Sequence, residues 1–138
     1  MALIEYDEYK QRLRDLGPEL EKLSAALDMD SARAEARKLE DETAQDGFWN
    51  DLERSQKVQQ RLKQLQNKIA RQDKLVTEWQ DLTALCEMGQ EAEDEELLEE
   101  LKSGFQTLEE KIEESRMSTL LSGEYYFHIS ILTFHAVA

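Results

Sequence analysis

A heptad pattern runs through the middle of the chain, from Asn50 to about Met88, and it limits what the chain can fold into. Apolar side chains recur there in alternating steps of four and three residues, at Val58, Leu62, Leu65, Ile69, Val76, Trp79 and Cys86. Gln72 and Thr83 fill the two remaining stripe positions, so the pattern predicts one helix about 57 Å long. Other helices must cover the stripe, because a small domain cannot enclose a helix of this length.

The first of three further helical segments spans roughly residues 3–27. Its apolar side chains also step three and four residues, which is typical of an amphipathic helix. Gly17 and Pro18 interrupt it, since a proline inside a helix removes one hydrogen bond and clashes with the preceding turn. Either the helix kinks there or a second helix begins with Pro18 in its first turn. The unbroken apolar stripe favours the kink.

Two other segments complete the predicted helices. Residues 31–43 are rich in alanine, arginine and glutamate and predict a short helix with Asp30 or Asp28 as its N-cap. Residues 93–118 carry leucine, phenylalanine and isoleucine at helical spacing and predict an amphipathic helix. A short loop before it favours an antiparallel return along the long helix.

The two ends of the long helix carry recognisable signals. Asn50 with Glu53 three residues later has the spacing of a capping box at the N-terminus. Gly89 suits the left-handed position that commonly follows the last turn of a helix. We therefore expect the helix to begin at Asn50 and to end at Met88.

Charge is distributed unevenly along the chain. The whole sequence has 17 basic and 31 acidic residues, a net charge of −14, which argues against a general nucleic-acid or anionic-membrane binder. The stretch from Arg54 to Lys74 nevertheless has seven basic residues and one acid, whereas residues 93–114 contain ten acids. We expect these acids to lie beside the basic stretch and to select the helix pairing. Contact of the basic stretch with RNA is the alternative.

The pattern changes after residue 121. Apolar and polar side chains alternate there with a period of two, which predicts one or two β strands. We therefore predict a helical domain over residues 1–121 and the beginning of a second domain over residues 122–138. A strand at 125–137 offers an edge that pairs with its own copy in a homodimer.

The predicted fold class is all-α: an elongated antiparallel helical bundle or coiled coil with a short C-terminal β segment. Cys86 is the only cysteine, so no intrachain disulfide partner exists and a reduced, cytoplasmic setting is expected. No signal peptide and no run of 18 apolar residues is present in the sequence, so no membrane partner is expected.

Two junctions resemble the bacterial peptide chain release factor 2 family. The turn GFWND at 47–51, preceded by Leu27-Asp28, is similar to the family's turn before its long helix. The segment LLSGEY at 120–125, followed by ILTFHA at 131–136, is similar to the family's LLSGEYD…AILTFHAGAGG. The N-terminal IEYDEYKQRL is also similar to family N-termini.

The resemblance implies the family's N-terminal helical domain, which takes part in translation termination and faces the proteins of the ribosomal stalk base. The Ser-Pro-Phe tripeptide that reads stop codons and the Gly-Gly-Gln loop that triggers peptidyl-tRNA hydrolysis do not occur in these 138 residues. We therefore expect a truncated factor that does not release peptide by itself and is not an enzyme. The alternative is a stand-alone helical scaffold protein that self-associates.

No catalytic, cofactor-binding or metal-binding residue is predicted, and no cofactor is expected. The pairs Glu95/Glu99 and Glu96/Glu100 have helical spacing but no apolar surroundings that would shift a pKa, which favours a solvated face. His128 and His135 fall on opposite faces of a predicted strand, which argues against a shared metal site.

Three other side chains have both a structural and a functional interpretation. Cys86 lies on the apolar stripe, which favours a small buried residue over a reactive thiol. Phe48 and Trp49 are either an exposed docking patch or a plug that packs the turn onto the bundle, and the plug is favoured.

Overall fold

The computed structural model describes residues 2–121, and these residues are helical almost throughout. The helices are α1 (Ala2–Ala26), α2 (Met29–Thr43), α3 (Leu52–Ala92) and α4 (Glu95–Leu121), with one 3-10 turn at Phe48–Asn50. No strand occurs within the described range, and the helical bundle predicted from the sequence is confirmed. The predicted C-terminal β segment and the 125–137 strand lie outside the described residues.

The described chain divides into two compact units. The first unit combines residues 2–27 with residues 74–121, and the second unit is Asp28–Asp73. The long helix α3 contributes its second half to the first unit and its first half to the second unit.

The first unit is a three-helix arrangement of α1, the second half of α3, and α4. Lys111 of α4 contacts Glu78 of α3 at 2.9 Å, and a side chain at Gly104 would meet Leu82 of α3, so α4 runs antiparallel to α3 as predicted. The shared core is apolar and consists of Tyr6, Leu13, Leu16, Leu20, Leu23, Leu75, Leu82, Cys86, Leu98, Leu101, Phe105, Leu108 and Ile112.

Tyr6 is the most enclosed aromatic side chain of this core. It is 0% exposed, and its hydroxyl donates a hydrogen bond to the backbone carbonyl of Asp94. Burial, with Asp94 and Cys86 nearby, raises the pKa of the Tyr6 hydroxyl. The tyrosine therefore fastens the start of α1 to the loop between α3 and α4.

The second unit pairs α2 with the first half of α3 around a thin core. Ala32 and Ala36 face Leu65, and the half-buried Leu39, Leu62 and Ile69 pack against this cluster. Alanines have short side chains, so this cluster buries little apolar area. The stability of α2 therefore depends on few side chains.

Ion pairs line the second unit, and their pattern corrects the predicted pairing of charges. Arg54 contacts Glu42 at 2.7 Å and Arg61 contacts Glu35 at 2.8 Å. The prediction that acids of residues 93–114 neutralise these arginines was wrong, because α2 supplies their partners. The two acids are seven residues apart and therefore lie on one side of α2, where they contact α3.

The structure also corrects both predicted ends of α3. Asn50 belongs to the 3-10 turn, and the side chain of Asp51 instead accepts the Arg54 backbone N–H at 3.1 Å. Asp51 has an extended backbone, which is typical of an N-cap. At the other end α3 continues through Gly89 to Ala92, and Glu93 adopts the left-handed conformation with φ 52°.

The observed bounds of α1 and α2 agree more closely with those predicted from the sequence. α1 is one helix from Ala2 to Ala26 with Pro18 inside it, so the alternative of a second helix beginning at Pro18 is excluded. Gly17, next to Pro18, lies close to the Trp79 ring, because a Cβ atom on Gly17 would be 3.2 Å from a ring carbon of Trp79. The sequence offered Asp30 or Asp28 as the N-cap of α2, and the N-cap is Asp28. Its side chain makes no capping hydrogen bond.

The apolar stripe of α3 differs from the heptad pattern in the first unit. Leu75 and Leu82 are buried there, whereas the predicted stripe residues Val76 and Thr83 are half-buried. A straight helix has 3.6 residues per turn, so a strict heptad pattern drifts by about 20° per repeat. In this unit α3 also faces both α1 and α4, which broadens its buried surface.

Replacing Asp94 with alanine is expected to lower the free energy of unfolding by about 1 kcal/mol. The Asp94 carboxylate accepts the backbone N–H groups of Glu96 and Leu97 at 2.8 and 3.1 Å, so it caps α4. Urea denaturation of both proteins measures the difference. Asp94→Asn, which keeps a capping oxygen, is the control and should lose much less; equal losses in both variants would contradict the capping role.

Candidate docking surface

The turn that precedes α3 exposes two large apolar side chains of the second unit. Trp49 is 59% exposed and Leu52 is 67% exposed, three residues further along the chain. We call these two side chains the indole patch. The adjacent Phe48 is only 8% exposed, and its ring meets the Trp49 ring edge to face at 5.0 Å between centroids. The structure thus divides the aromatic pair: Phe48 is the predicted plug, whereas Trp49 is exposed.

Backbone geometry holds the indole patch in place from both sides. Gly47 has φ 84°, a left-handed conformation that glycine adopts without strain. Its carbonyl accepts the Asn50 N–H at 3.1 Å and closes the 3-10 turn. On the other side, Asp51 caps α3 immediately before Leu52. Trp49 therefore lies between two fixed points of the backbone.

The immediate surroundings of the patch are acidic. Residues 44–53 contain Asp46, Asp51 and Glu53 and no basic residue. The nearest basic side chains in the sequence both contact acids: Arg54 pairs with Glu42, and Lys57 contacts Glu53 at 3.4 Å. The patch is therefore apolar with an acidic rim.

This local charge differs from the balance of the second unit as a whole. Asp28–Asp73 contains nine basic and ten acidic residues, a net charge of −1. In the first unit the described residues contain 8 basic and 20 acidic residues, a net charge of −12. Most of the negative charge of the chain is thus carried by the first unit.

The acid pairs of α4 lie on solvated surface. Glu95, Glu96, Glu99 and Glu100 are all exposed, and Glu99 contacts Lys102 at 3.7 Å. Within residues 2–121 no group of three or more histidine, cysteine, aspartate and glutamate side chains is suited to hold a metal ion. His128 and His135 lie outside the described residues.

Cys86 is buried in the first unit, as the stripe pattern predicts. It is 1% exposed, and its thiol donates a weak hydrogen bond to the Tyr6 carbonyl, with 3.6 Å between sulfur and oxygen. Burial raises the pKa of the thiol, which lowers the fraction of reactive thiolate.

We expect iodoacetamide to alkylate Cys86 much more slowly in the folded protein than in urea at the same pH, because the folded thiol is both buried and less ionised. Mass spectrometry of samples taken over time measures both rates. Free cysteine in the same two buffers controls for the effect of urea on the reagent. Equal rates in folded and unfolded protein would contradict the buried position.

A small groove lies between α1 and α4 in the first unit. It has a volume of about 220 Å³ and is lined by Glu19, Lys22, Leu23, Ala26, Arg116, Thr119 and Leu120. Arg116 is held by Glu19 at 3.0 Å and by Glu113 at 3.1 Å, so its charge is already compensated. Lys22 also contacts Glu19, at 3.7 Å, so the basic side chains that line the groove are paired with acids.

Residues 32–138 match the PCRF domain. The chain belongs to the PCRF domain family. This match begins within α2 and includes the indole patch, α3 and α4.

Known relatives of this PCRF-domain chain extend the similarity to its N-terminus. Peptide chain release factor 2 of Streptomyces avermitilis is 31% identical over all 138 residues, which is 37% of the relative's length. The release factor 2 proteins of Clostridium perfringens and Acidothermus cellulolyticus are 32% and 34% identical over 96% and 93% of the chain, covering 36% and 35% of their own lengths. The resemblance found in the sequence is confirmed, and the chain spans about a third of the length of these relatives.

Sequence reasoning had missed one residue of the indole patch. Leu52 lies outside the heptad stripe of α3 and belongs to no motif, so its position in the sequence gives no reason to single it out. The one available signal is that Leu52 is a second large apolar residue only three positions after Trp49, next to a turn. Among the helices of residues 2–121, none has both the length and the apolar content needed to cross a bilayer.

Proposed function

We propose that this chain is a release-factor-type N-terminal helical domain that docks on the ribosome in the cytoplasm and does not release peptide by itself. Membership of the PCRF domain family over residues 32–138 is the observation that carries the proposal. The similarity of all 138 residues to proteins named peptide chain release factor 2 supports the same function.

The domain division belongs to this proposal. Residues 1–121 form the docking domain, and residues 122–138 begin a second domain that contributes nothing to docking. Within the docking domain, the fixed indole patch supports a binding role, because exposed tryptophan is much more common at interfaces than on other protein surface.

The proteins of the stalk base are the partners we propose on the ribosome. The choice of stalk-base proteins as partners rests on the family resemblance. Cross-linking of the bound chain to intact ribosomes, followed by mass spectrometry, identifies the neighbouring proteins. Cross-links confined to proteins far from the stalk base would contradict this partner while leaving ribosome docking intact.

Co-sedimentation with intact ribosomes tests the proposed docking. The chain is expected to pellet with ribosomes in a saturable manner, while it stays in the supernatant when ribosomes are omitted. A chain of similar size and net charge from an unrelated helical protein controls for trapping. Recovery of the chain in the supernatant at every ribosome concentration would contradict the proposal.

A second copy of this chain is the other partner we propose, in a homodimer that pairs residues 125–137. The alternating apolar and polar pattern of that segment favours it. Light scattering over a range of protein concentrations measures it. The mass is expected to double as concentration rises, and deletion of residues 123–138 should return it to that of a monomer. A monomer mass at all concentrations would contradict the dimer.

A further inference from the structure

The indole patch has the properties of a binding anchor. Trp49 leaves 59% of its surface in solvent although an apolar neighbour, Phe48, packs against it. Tryptophan is among the residues most enriched where a few side chains carry most of the binding energy. An exposed indole therefore points to a partner with a pocket that receives it.

The anchor is also fixed before binding. The 3-10 turn and the edge-to-face contact with Phe48 hold the Trp49 backbone and ring, and α3 begins immediately after Asp51. Ordering a flexible side chain reduces affinity, so a ring that is already held in place loses less on binding.

The rim of the patch determines the chemistry of the partner. Asp46, Asp51 and Glu53 flank the apolar side chains in the sequence, and all three are exposed, with Glu53 also in contact with Lys57 at 3.4 Å. Carboxylates repel the phosphates of RNA and attract lysine and arginine side chains. The complementary surface is an apolar pocket with a basic rim, which is a protein surface.

We propose that the indole patch is the contact through which the second unit binds a basic protein of the ribosome, with the Trp49 indole in an apolar pocket and lysine or arginine side chains against the acidic rim. This inference rests on the proposed ribosome docking and assigns the residues and the partner chemistry of that docking.

Affinity for intact ribosomes, measured by co-sedimentation over a range of chain concentrations, tests the anchor. Trp49→Ala is expected to weaken binding by at least about tenfold, the loss expected for a central interface tryptophan, and Trp49→Phe should weaken it less. Met88→Ala is the matched control, because Met88 is also 59% exposed but lies in the first unit. It should bind as the unchanged chain does. Thermal melting of each variant verifies that the helices are intact.

A charge reversal then distinguishes a protein partner from RNA. Asp46→Lys is expected to weaken binding to ribosomes, because it places a positive charge against a basic surface. Glu109→Lys makes the same change of charge on exposed α4 and should have little effect. Stronger binding by Asp46→Lys would overturn the inference in favour of RNA.

The outcomes separate this inference from the docking proposal. If the unchanged chain binds and Trp49→Ala binds equally well, the inference is overturned while ribosome docking stands. If the unchanged chain does not bind ribosomes, both are overturned. Weaker binding by Trp49→Ala and Asp46→Lys, with both controls unaffected, supports the inference.

Discussion

Replacing Gly89 with alanine is expected to destabilise the first unit by about 1–3 kcal/mol, the usual cost of an overpacked core. A Cβ at this position would be 2.2 Å from the Tyr6 hydroxyl oxygen and 2.6 and 2.7 Å from two Tyr6 ring carbons. Tyr6 is fully buried and its hydroxyl is bonded to the Asp94 carbonyl, so the ring has little room to move. Helix propensity alone predicts the opposite sign, a gain of about 1 kcal/mol.

Two further variants separate overpacking from helix propensity. Gly104→Ala is the matched control in α4: its Cβ would be 2.6 Å from the Leu82 Cδ2 atom, the far end of a flexible side chain, so we expect a much smaller loss. In a Tyr6→Ala background, Gly89→Ala should no longer destabilise. Urea denaturation of the four combinations gives the coupling energy. If Gly89→Ala is as stable as the unchanged chain, the close contact with Tyr6 is contradicted.

Replacing Leu65 with alanine is expected to lower the local stability of the second unit by about 2–5 kcal/mol. Leu65 is the one large side chain among the three fully buried members of this core, beside Ala32 and Ala36. Its removal leaves α2 little apolar surface to pack against. Hydrogen exchange should show the amides of α2 losing protection.

The amides of α1 and α4 are expected to keep their protection in the same variant, because neither helix belongs to the second unit. Gln64→Ala, at an exposed neighbouring position of α3, is the control and should leave α2 protected. Equal loss of protection in α2 and α4 on Leu65→Ala would contradict a separate core in the second unit.

The existence of the four helices was predictable because each carries an apolar period that only a helix places on one face. The antiparallel return of α4 was predictable for a similar reason, since a short loop leaves few other arrangements. The family was recognisable from two junction motifs, GFWND at 47–51 and LLSGEY at 120–125. These signals depend on residues close together in sequence.

The predictions that were wrong, the C-terminal end of α3 and the partners of two arginines, depend on contacts between residues far apart in sequence. Gly89 has the composition of a helix end, but it is needed inside α3 for the close approach of Tyr6, 83 positions earlier in the chain. The partners of Arg54 and Arg61 also follow from the packing of α2. Counting charges along the chain favoured the larger acidic cluster of α4, although α2 is the helix that packs beside these arginines.

The candidate site was only half predictable. Phe48 and Trp49 are adjacent aromatics, and the sequence gives no reason for one ring to be buried and the other exposed. The left-handed Gly47 and the 3-10 turn decide this by the direction in which the backbone enters α3. Leu52, which completes the indole patch, carries no signal of its own.

Competition with full-length peptide chain release factor 2 for intact ribosomes tests the central claim most directly. The chain is expected to displace the labelled full-length factor in a concentration-dependent manner, because both would use the same docking domain. The Met88→Ala variant should compete equally well, and the Trp49→Ala variant much more weakly. Binding of the chain with no displacement of the full-length factor at saturating concentration would contradict a release-factor docking domain.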